Sequence, residues 1–370
     1  MSLPKDILEN IFARLPVTDI ARSRVVCESW RSLLSSEDFL VRYKISNDEK
    51  WVAVFDENGL NKERMLILYN ASLKTWHHVS LCFLPNEFTY AVASSGGLLC
   101  VAGQPNGKNV LCVCNPFTRC YKILPELDQE PSIPVVVMIE SKKGHTESGK
   151  SHEKKRNMGA HFQILALRGD VVALYSTKHG NWQAFNTGLP YRPRSPVACE
   201  GIVYGLQNMG SPWKSSWRLV YAKLNELCCK EVWCAINRPE WGEILDILRQ
   251  PRLLESNSSL LLTGGLRRGV ANFCSTFIIL KLDLISLEWS EAQRMPFAFY
   301  KHFDPGADFK IFGGRGMVYF SSKNPGKLVA CDLSGSGDRI WSWVEGCPSN
   351  YQKNGLCKGF PLKPRFDLFP

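Results

Sequence analysis

The residue types that carry out covalent or metal chemistry are all present in this 370-residue sequence, but not at the spacings that such chemistry needs. His77, His78, His161, His179 and His302 are dispersed, and no HExxH pattern sets two imidazoles on one helical turn beside a general base. There is no GxSxG nucleophile turn and no GxGxxG, and the one GxxxxGK spacing, Gly144 to Lys150, falls inside a polar, charge-dense stretch and not directly on a strand-like run. The Ser-Gly-Ser-Gly-Asp at 334–338 reads as a hairpin turn. Fourteen cysteines contain no CxxC pair, and Cys100, Cys112, Cys114 and Cys199 sit in apolar runs where a reduced thiol behaves as a small hydrophobe. No metal, no cofactor and no catalytic residue is therefore expected. An enzyme assembled from residues on many separate loops would leave no local motif, and it stands as a minor alternative.

The chemistry that the spacing does support is recognition. At the N-terminus Leu3, Ile7, Leu8, Ile11, Phe12 and Leu15 recur at helical spacing as one broad apolar stripe. Pro4 suits the first turn of that helix, and Pro16 is expected to stop it. About forty residues of helical pattern are too few to bury all of their own apolar surface. Either a partner or the underside of the rest of the chain must cover it.

The elements behind these residues fall into two grammars. Helical periodicity ends near residue 50, and short β-branched and aromatic runs separated by Gly, Pro, Asn and Asp take over. Six units repeat an aliphatic strand, a turn, a strand with an aromatic and then a proline, as in "NVLCVCNPFTRCYKILP" and "TFIILKLDLISLEWSEAQRMP". Two further strands joined by a tight Gly or Ser turn precede each of the last five units. Four antiparallel strands per unit is the arithmetic of a propeller blade. The first unit has three strands, and the C-terminal "GLCKGFPLKP" supplies the missing one and closes the ring. A pair of stacked β-sandwiches is the alternative. Trp76, Tyr121, Trp182, Trp233, Trp289 and Trp343 recur at one position of the repeat, where large rings would pack between blades. The polar, charge-dense stretch at 140–160 reads as a flexible insertion.

Composition sets the class. With 45% hydrophobic and 22% charged residues the chain is globular material, and no apolar run is long enough to span a bilayer. The N-terminus lacks a secretory pattern, so a soluble protein of the nucleus, the cytoplasm or both is expected, with no membrane partner. The formal charge of +10 is moderate and matters only where it gathers on one face.

The opening segment resembles the F-box. Leu3-Pro4, Leu15-Pro16, Arg22, Val26-Cys27 and Trp30 follow that family's pattern in order, although Glu28 stands where members usually carry Lys or Arg. With the repeats, and with "SSGGLLCV" and "CNPFTRCYKILP", the whole chain is similar to plant F-box/kelch proteins of the floral-development kind. Full double-glycine kelch signatures are absent from most units, and "TGG" at 263–265 and "FGG" at 312–314 come nearest. The resemblance implies an all-α F-box cap at 1–44, a linker at 45–50 and an all-β, six-bladed kelch-like propeller at 51–370. It also implies docking of the cap on a Skp-type adaptor, and through it on a cullin, so that the propeller captures a target protein for ubiquitination. Leu3, Pro4, Leu8, Ile11, Leu15 and Pro16 are the expected contact set, with Ile20, Val26 and Trp30 shared between the cap's core and the adaptor.

The target surface is read from charge. Turns between second and third strands carry Lys108, Arg168, Lys214, Arg267, Arg268, Lys323 and Lys327 and are net positive, whereas the opposite turns are not. That basic rim is expected to receive an acidic protein segment or a protein already bound to DNA. Solubilising surface charge explains the same residues equally well. A transcriptional or scaffolding adaptor, whose propeller holds a DNA-binding partner, is the second functional reading.

Overall fold

The computed structural model describes residues 3–46, 49–56, 63–127, 132–140, 160–168, 170–189, 191–210, 216–224, 233–238, 240–267, 273–322, 328–335, 340–347 and 356–370. Four helices come first: α1 (Lys5–Phe12), α2 (Val17–Ser23), α3 (Glu28–Leu34) and α4 (Glu37–Ser46). Both Leu-Pro pairs start helices. Pro4 and Pro16 hold extended backbone, and their carbonyls accept from the amides of Leu8 and Ile20. Pro16 thus opens α2, and the end of α1 is already closed by bonds from the Ala13 amide to Glu9 and from the Arg14 amide to Ile11.

The remaining chain forms six four-stranded antiparallel sheets. The first contains β1 (Trp51–Asp56), β2 (Met65–Asn70) and β3 (Thr75–Ser80). The second is β4 (Phe88–Ser95), β5 (Leu98–Gly103), β6 (Val110–Asn115) and β7 (Cys120–Ile123). The third is β8 (Val135–Glu140), β9 (Phe162–Arg168), β10 (Val171–Ser176) and β11 (Trp182–Asn186). The fourth is β12 (Arg194–Cys199), β13 (Ile202–Asn208), β14 (Trp217–Lys223) and β15 (Cys234–Ala235), followed by the short α5 (Trp241–Asp246). The fifth is β16 (Leu248–Ser256), β17 (Ser259–Arg267), β18 (Cys274–Leu282) and β19 (Trp289–Arg294), followed by α6 (Phe297–Tyr300). The sixth is β20 (Phe309–Gly314), β21 (Met317–Ser322), β22 (Leu328–Asp332) and β23 (Trp341–Val344). The C-terminal β24 (Cys357–Pro361) returns to the first sheet and pairs with β1 as its innermost strand, Val54 opposite Gly359. The ring is closed by hydrogen bonds between the two ends of the propeller, and β1 keeps no free edge.

Burial follows position in the blade. The second and third strands are covered on both faces by neighbouring sheets, so β5, β6 and β21 are buried along their whole length and open on apolar runs of four or more residues. Outer strands such as β7 and β11 are mostly exposed and carry polar residues. The repeated aromatic on the outer strand fastens each blade to the segment leaving the previous one. The Trp182 indole donates to the Pro125 carbonyl at 2.9 Å, and that of Trp76 to the Glu345 carbonyl at 2.7 Å. Trp289 meets Trp241 edge-on, and Trp343 packs on Phe299 with ring centres 5.4 Å apart. Glycine is required where β20 ends: Gly313 has φ 146°, and a Cβ there would lie 2.2 Å from the Met317 carbonyl oxygen. The insertion expected at 140–160 lies outside the described residues between 141 and 159.

The cap and the C-terminal tail share one face of the ring. The inner strands all finish there: the Ser94 hydroxyl donates to the Pro361 carbonyl, the Glu140 amide to Ser95, and Arg365 of the tail bonds Glu140 at 2.7 Å. The tail crosses blades one to three, where Asn115 donates to the carbonyls of Arg365 and Leu368. Arg24, just past α2, places its guanidinium 4.7 Å from the centre of the Phe366 ring. Lys50 at the cap's exit reaches across to Asp332 at 2.8 Å. Phe12, Ile20, Leu34 and Phe39 share one buried cluster with Trp51, Phe55, Leu362 and Phe366, so one side of the helical cap is seated on the propeller.

Candidate functional site

The outward side of the cap is built by α1. Its spacing separates two faces: Phe12 is buried and Leu8 leans on the core, while Leu3, Ile7 and Ile11 lie four residues apart and are 54%, 43% and 45% exposed. Pro4 is exposed beside them. The inward face is locked by pairing. The buried Glu9 carboxylate accepts from Arg42 of α4 and lies 3.7 Å from Lys5, and the Tyr43 hydroxyl donates to the Leu15 carbonyl at 3.0 Å. Trp30 meets Phe12 edge-on at 4.9 Å, which sets α3 against α1. The Cys27 thiol accepts from the Trp30 amide and caps α3. Val25 and Val26, between α2 and α3, are exposed. Burial, and after it the positive charge of Arg22 on α2, hold the His77 imidazole below its ordinary pKa.

The positions named from sequence therefore divide. Leu3, Pro4, Ile11 and Val26 are on the surface, and Leu8, Leu15, Pro16 and Trp30 are half-buried. Ile20 is 0% exposed inside the cluster that joins cap to propeller and offers no contact surface in this arrangement. Ile7 belongs with the outward row; its spacing from Leu3 and Ile11 was the signal for it. Glu28 is exposed at the first turn of α3, where a carboxylate suits the helix N-terminus.

The second candidate surface is the central channel, a cavity of about 2400 Å³ enclosed by the six inner strands. Among the described residues no group of three or more His, Cys, Asp or Glu could hold a metal ion, and no helix is long and apolar enough to cross a membrane.

A comparison with known families matches residues 1–42 to the F-box domain. Over its whole length the chain is 35% identical to "SKP1-interacting partner 15" of Arabidopsis thaliana, covering 98% of that protein. The chain belongs to the F-box/kelch-repeat family. The Arabidopsis protein UNUSUAL FLORAL ORGANS is 22% identical over 94% of this chain and 78% of its own length. An Arabidopsis F-box/kelch-repeat protein is 23% identical over all of this chain and 90% of its own length. The exposed apolar row is thus a feature of the F-box, and the ring beneath it is the six-bladed propeller.

Of the basic rim read from sequence, Lys108, Arg168 and Arg267 fall among the described residues of this F-box/kelch-repeat protein. Arg168, at the end of β9, is only 6% exposed, because the strand carries it into the stack between sheets; it is not a surface residue that a target could reach. Lys108 is held by Glu126 at 2.7 Å, and Arg267 is half-buried at the end of β17. Lys214, Arg268, Lys323 and Lys327 lie outside the described residues. The positive charge that the structure does gather lies further in, on the inner strands and the loops leading into them: Arg192, Arg194, Arg249, Arg252 and Lys310 line the channel. Their signal in the sequence is "RPR" at 192–194 and "RQPR" at 249–252, arginines around a proline where an inner strand begins.

Proposed function

We propose that the protein is the target-receptor subunit of a Skp-cullin-F-box ubiquitin ligase. Its F-box docks on a Skp-type adaptor, the adaptor joins it to a cullin, and the propeller holds the protein to be modified. The observation that carries this reading is the row Leu3, Ile7 and Ile11, turned to solvent on a domain whose other side is already seated on the propeller. Among the described residues nothing covers that row, and a relative matching the full length carries the name of a SKP1-interacting partner. The chain itself catalyses nothing in this scheme. Its contribution is proximity, which raises the effective concentration of target lysines at the ubiquitin-carrying enzyme.

Covering an already half-buried isoleucine gains roughly 1 kcal/mol, and a carboxylate placed in the same contact opposes it by more. Ile7→Asp combined with Ile11→Asp is expected to weaken adaptor capture by about a hundredfold, ~2.7 kcal/mol. Pull-down with a purified Skp-type adaptor measures this, and circular dichroism reports whether the propeller is intact. Full capture by the double variant, or none by the wild type, would remove the reading.

A further inference from the structure

The channel is electrically polar. On the side away from the F-box, from the approach loops to the middle of the inner strands, stand Arg192, Arg194, Arg249, Arg252, Arg267, Lys310 and Lys358, with Asp308 as the acid among the described residues there. That acid is engaged: it lies 3.7 Å from Arg249 and accepts from Gln250 at 3.1 Å. The end beneath the F-box is lined by Glu37, Glu140, Glu200, Glu255 and Asp367, against Arg315, Lys363 and Arg365. Arg365 is committed there to Glu140 and Asp367.

The arginines at the open end are held differently from one another. Arg249 is structural: its guanidinium donates to the carbonyls of Pro305, Gly306 and Ala307 and pins the loop between blades five and six. Arg192 is exposed and makes no ion pair among the described residues. Arg194 is exposed with its guanidinium 5.8 Å from the centre of the Trp217 ring, a contact that orients the charge without neutralising it. The buried Nε of Arg267 meets no acceptor among the described residues. Half-buried Val92, Val135 and Val197 line the wall alongside these charges.

From this arrangement we propose that the channel mouth opposite the F-box receives a linear protein segment whose anionic side chains, carboxylates or phosphates, pair with Arg192, Arg194 and Arg267 while its apolar part enters among the valines. The inference rests on the receptor reading and names the class of target recognised. A low-dielectric wall focuses the field of converging arginines at the mouth. The carboxylates at the far end repel an anion that passes deeper, so the anionic part of the segment stays at the mouth. Volume and lining select a segment over a bare ion: 2400 Å³ exceeds an ordinary small-molecule site, and a free phosphate makes no use of the apolar wall.

The test uses the full chain co-purified with a Skp-type adaptor and three fluorescent probes: an oligoglutamate peptide with an apolar tip, the same backbone with phosphoserines, and its oligolysine counterpart. Anisotropy is expected to show salt-sensitive binding of one or both anionic probes and none of the lysine probe, with the better of the two identifying the charge source. Arg192→Glu with Arg194→Glu changes two exposed side chains and is expected to weaken that binding at least tenfold while adaptor capture stays unchanged. Three results overturn the proposal: no binding of either anionic probe at low salt, equal binding by the double variant, or displacement by inorganic phosphate at concentrations equal to the peptide. Any of these with adaptor capture intact leaves the receptor reading standing; loss of adaptor capture by the wild type strikes that reading instead.

Discussion

Neighbouring residues of the F-box differ sharply in what their side chains do. Ile20 and Ile11 are the same residue type nine positions apart, one sealed between cap and propeller and the other half-exposed on α1. Ile20→Ala leaves a cavity at a site walled by two domains and is expected to cost about 2–5 kcal/mol of stability. Ile11→Ala is expected to change stability by less than about 0.5 kcal/mol and to lower adaptor affinity instead. Thermal unfolding and adaptor titration of the two variants, compared side by side, check that exchange of roles. Cysteines divide in the same way. Burial pushes the Cys112 thiol up to about 12 and that of Cys114 well above its ordinary range, while Cys27, Cys82 and Cys234 are exposed. Alkylation of the native protein at pH 8, read by mass spectrometry, is expected to label the exposed set and spare Cys112 and Cys114 until the protein unfolds.

Strands and their fastenings carry the stability of the ring. β24 supplies a register of five residue pairs with β1, and the tail beyond it lies under the cap. Truncation after residue 356 is expected to expose the inner edge of β1, uncover the cluster around Leu362 and Phe366, and convert a cooperative melt into aggregation at lower temperature. Differential scanning fluorimetry with light scattering tests this. The aromatic clamps act between blades. Trp182→Phe keeps the ring but loses the indole bond to the Pro125 carbonyl, and is expected to destabilise by about 0.5–1.5 kcal/mol in denaturant unfolding.

At the scale of the whole molecule, the two ends of the ring differ. Cap and tail occupy one face, and the open, arginine-rich mouth of the channel lies on the other, so an adaptor on the cap and the segment proposed for the mouth would use separate surfaces. The joint between them includes a titratable clasp. Burial alone would raise the Asp332 carboxyl, but hydrogen bonds from Lys50 and Ser334 carry it below its ordinary value. A depressed carboxylate stabilises the fold at neutral pH, and that share is lost as pH falls through the ordinary carboxylate value near 4 and on towards the lower folded one. Asp332→Asn is therefore expected to melt below the wild type at pH 7, with the gap closing as pH falls below about 4, as followed by melting temperature against pH.

What the sequence determined by itself was local and periodic. The Leu-Pro pairs, the stripe on α1, the strand runs, the repeated aromatic and the unit left one strand short are all properties of a residue and its near neighbours, and they sufficed for an F-box on a six-bladed ring closed by the C-terminus. Only the tertiary structure decided which side of each element met solvent. It put Ile20 against the propeller and Ile7 outside, because the seating of the cap is a long-range contact with Trp51, Phe55 and the tail. Arg168 went into the stack between sheets, although its place beside a turn suggested a surface. Arg192, Arg194, Arg249 and Arg252 belong to two sequence segments more than fifty residues apart, and a shared channel arises only when inner strands of successive blades converge on one axis. Periodicity encodes burial within an element, whereas convergence between elements is set by closure of the ring.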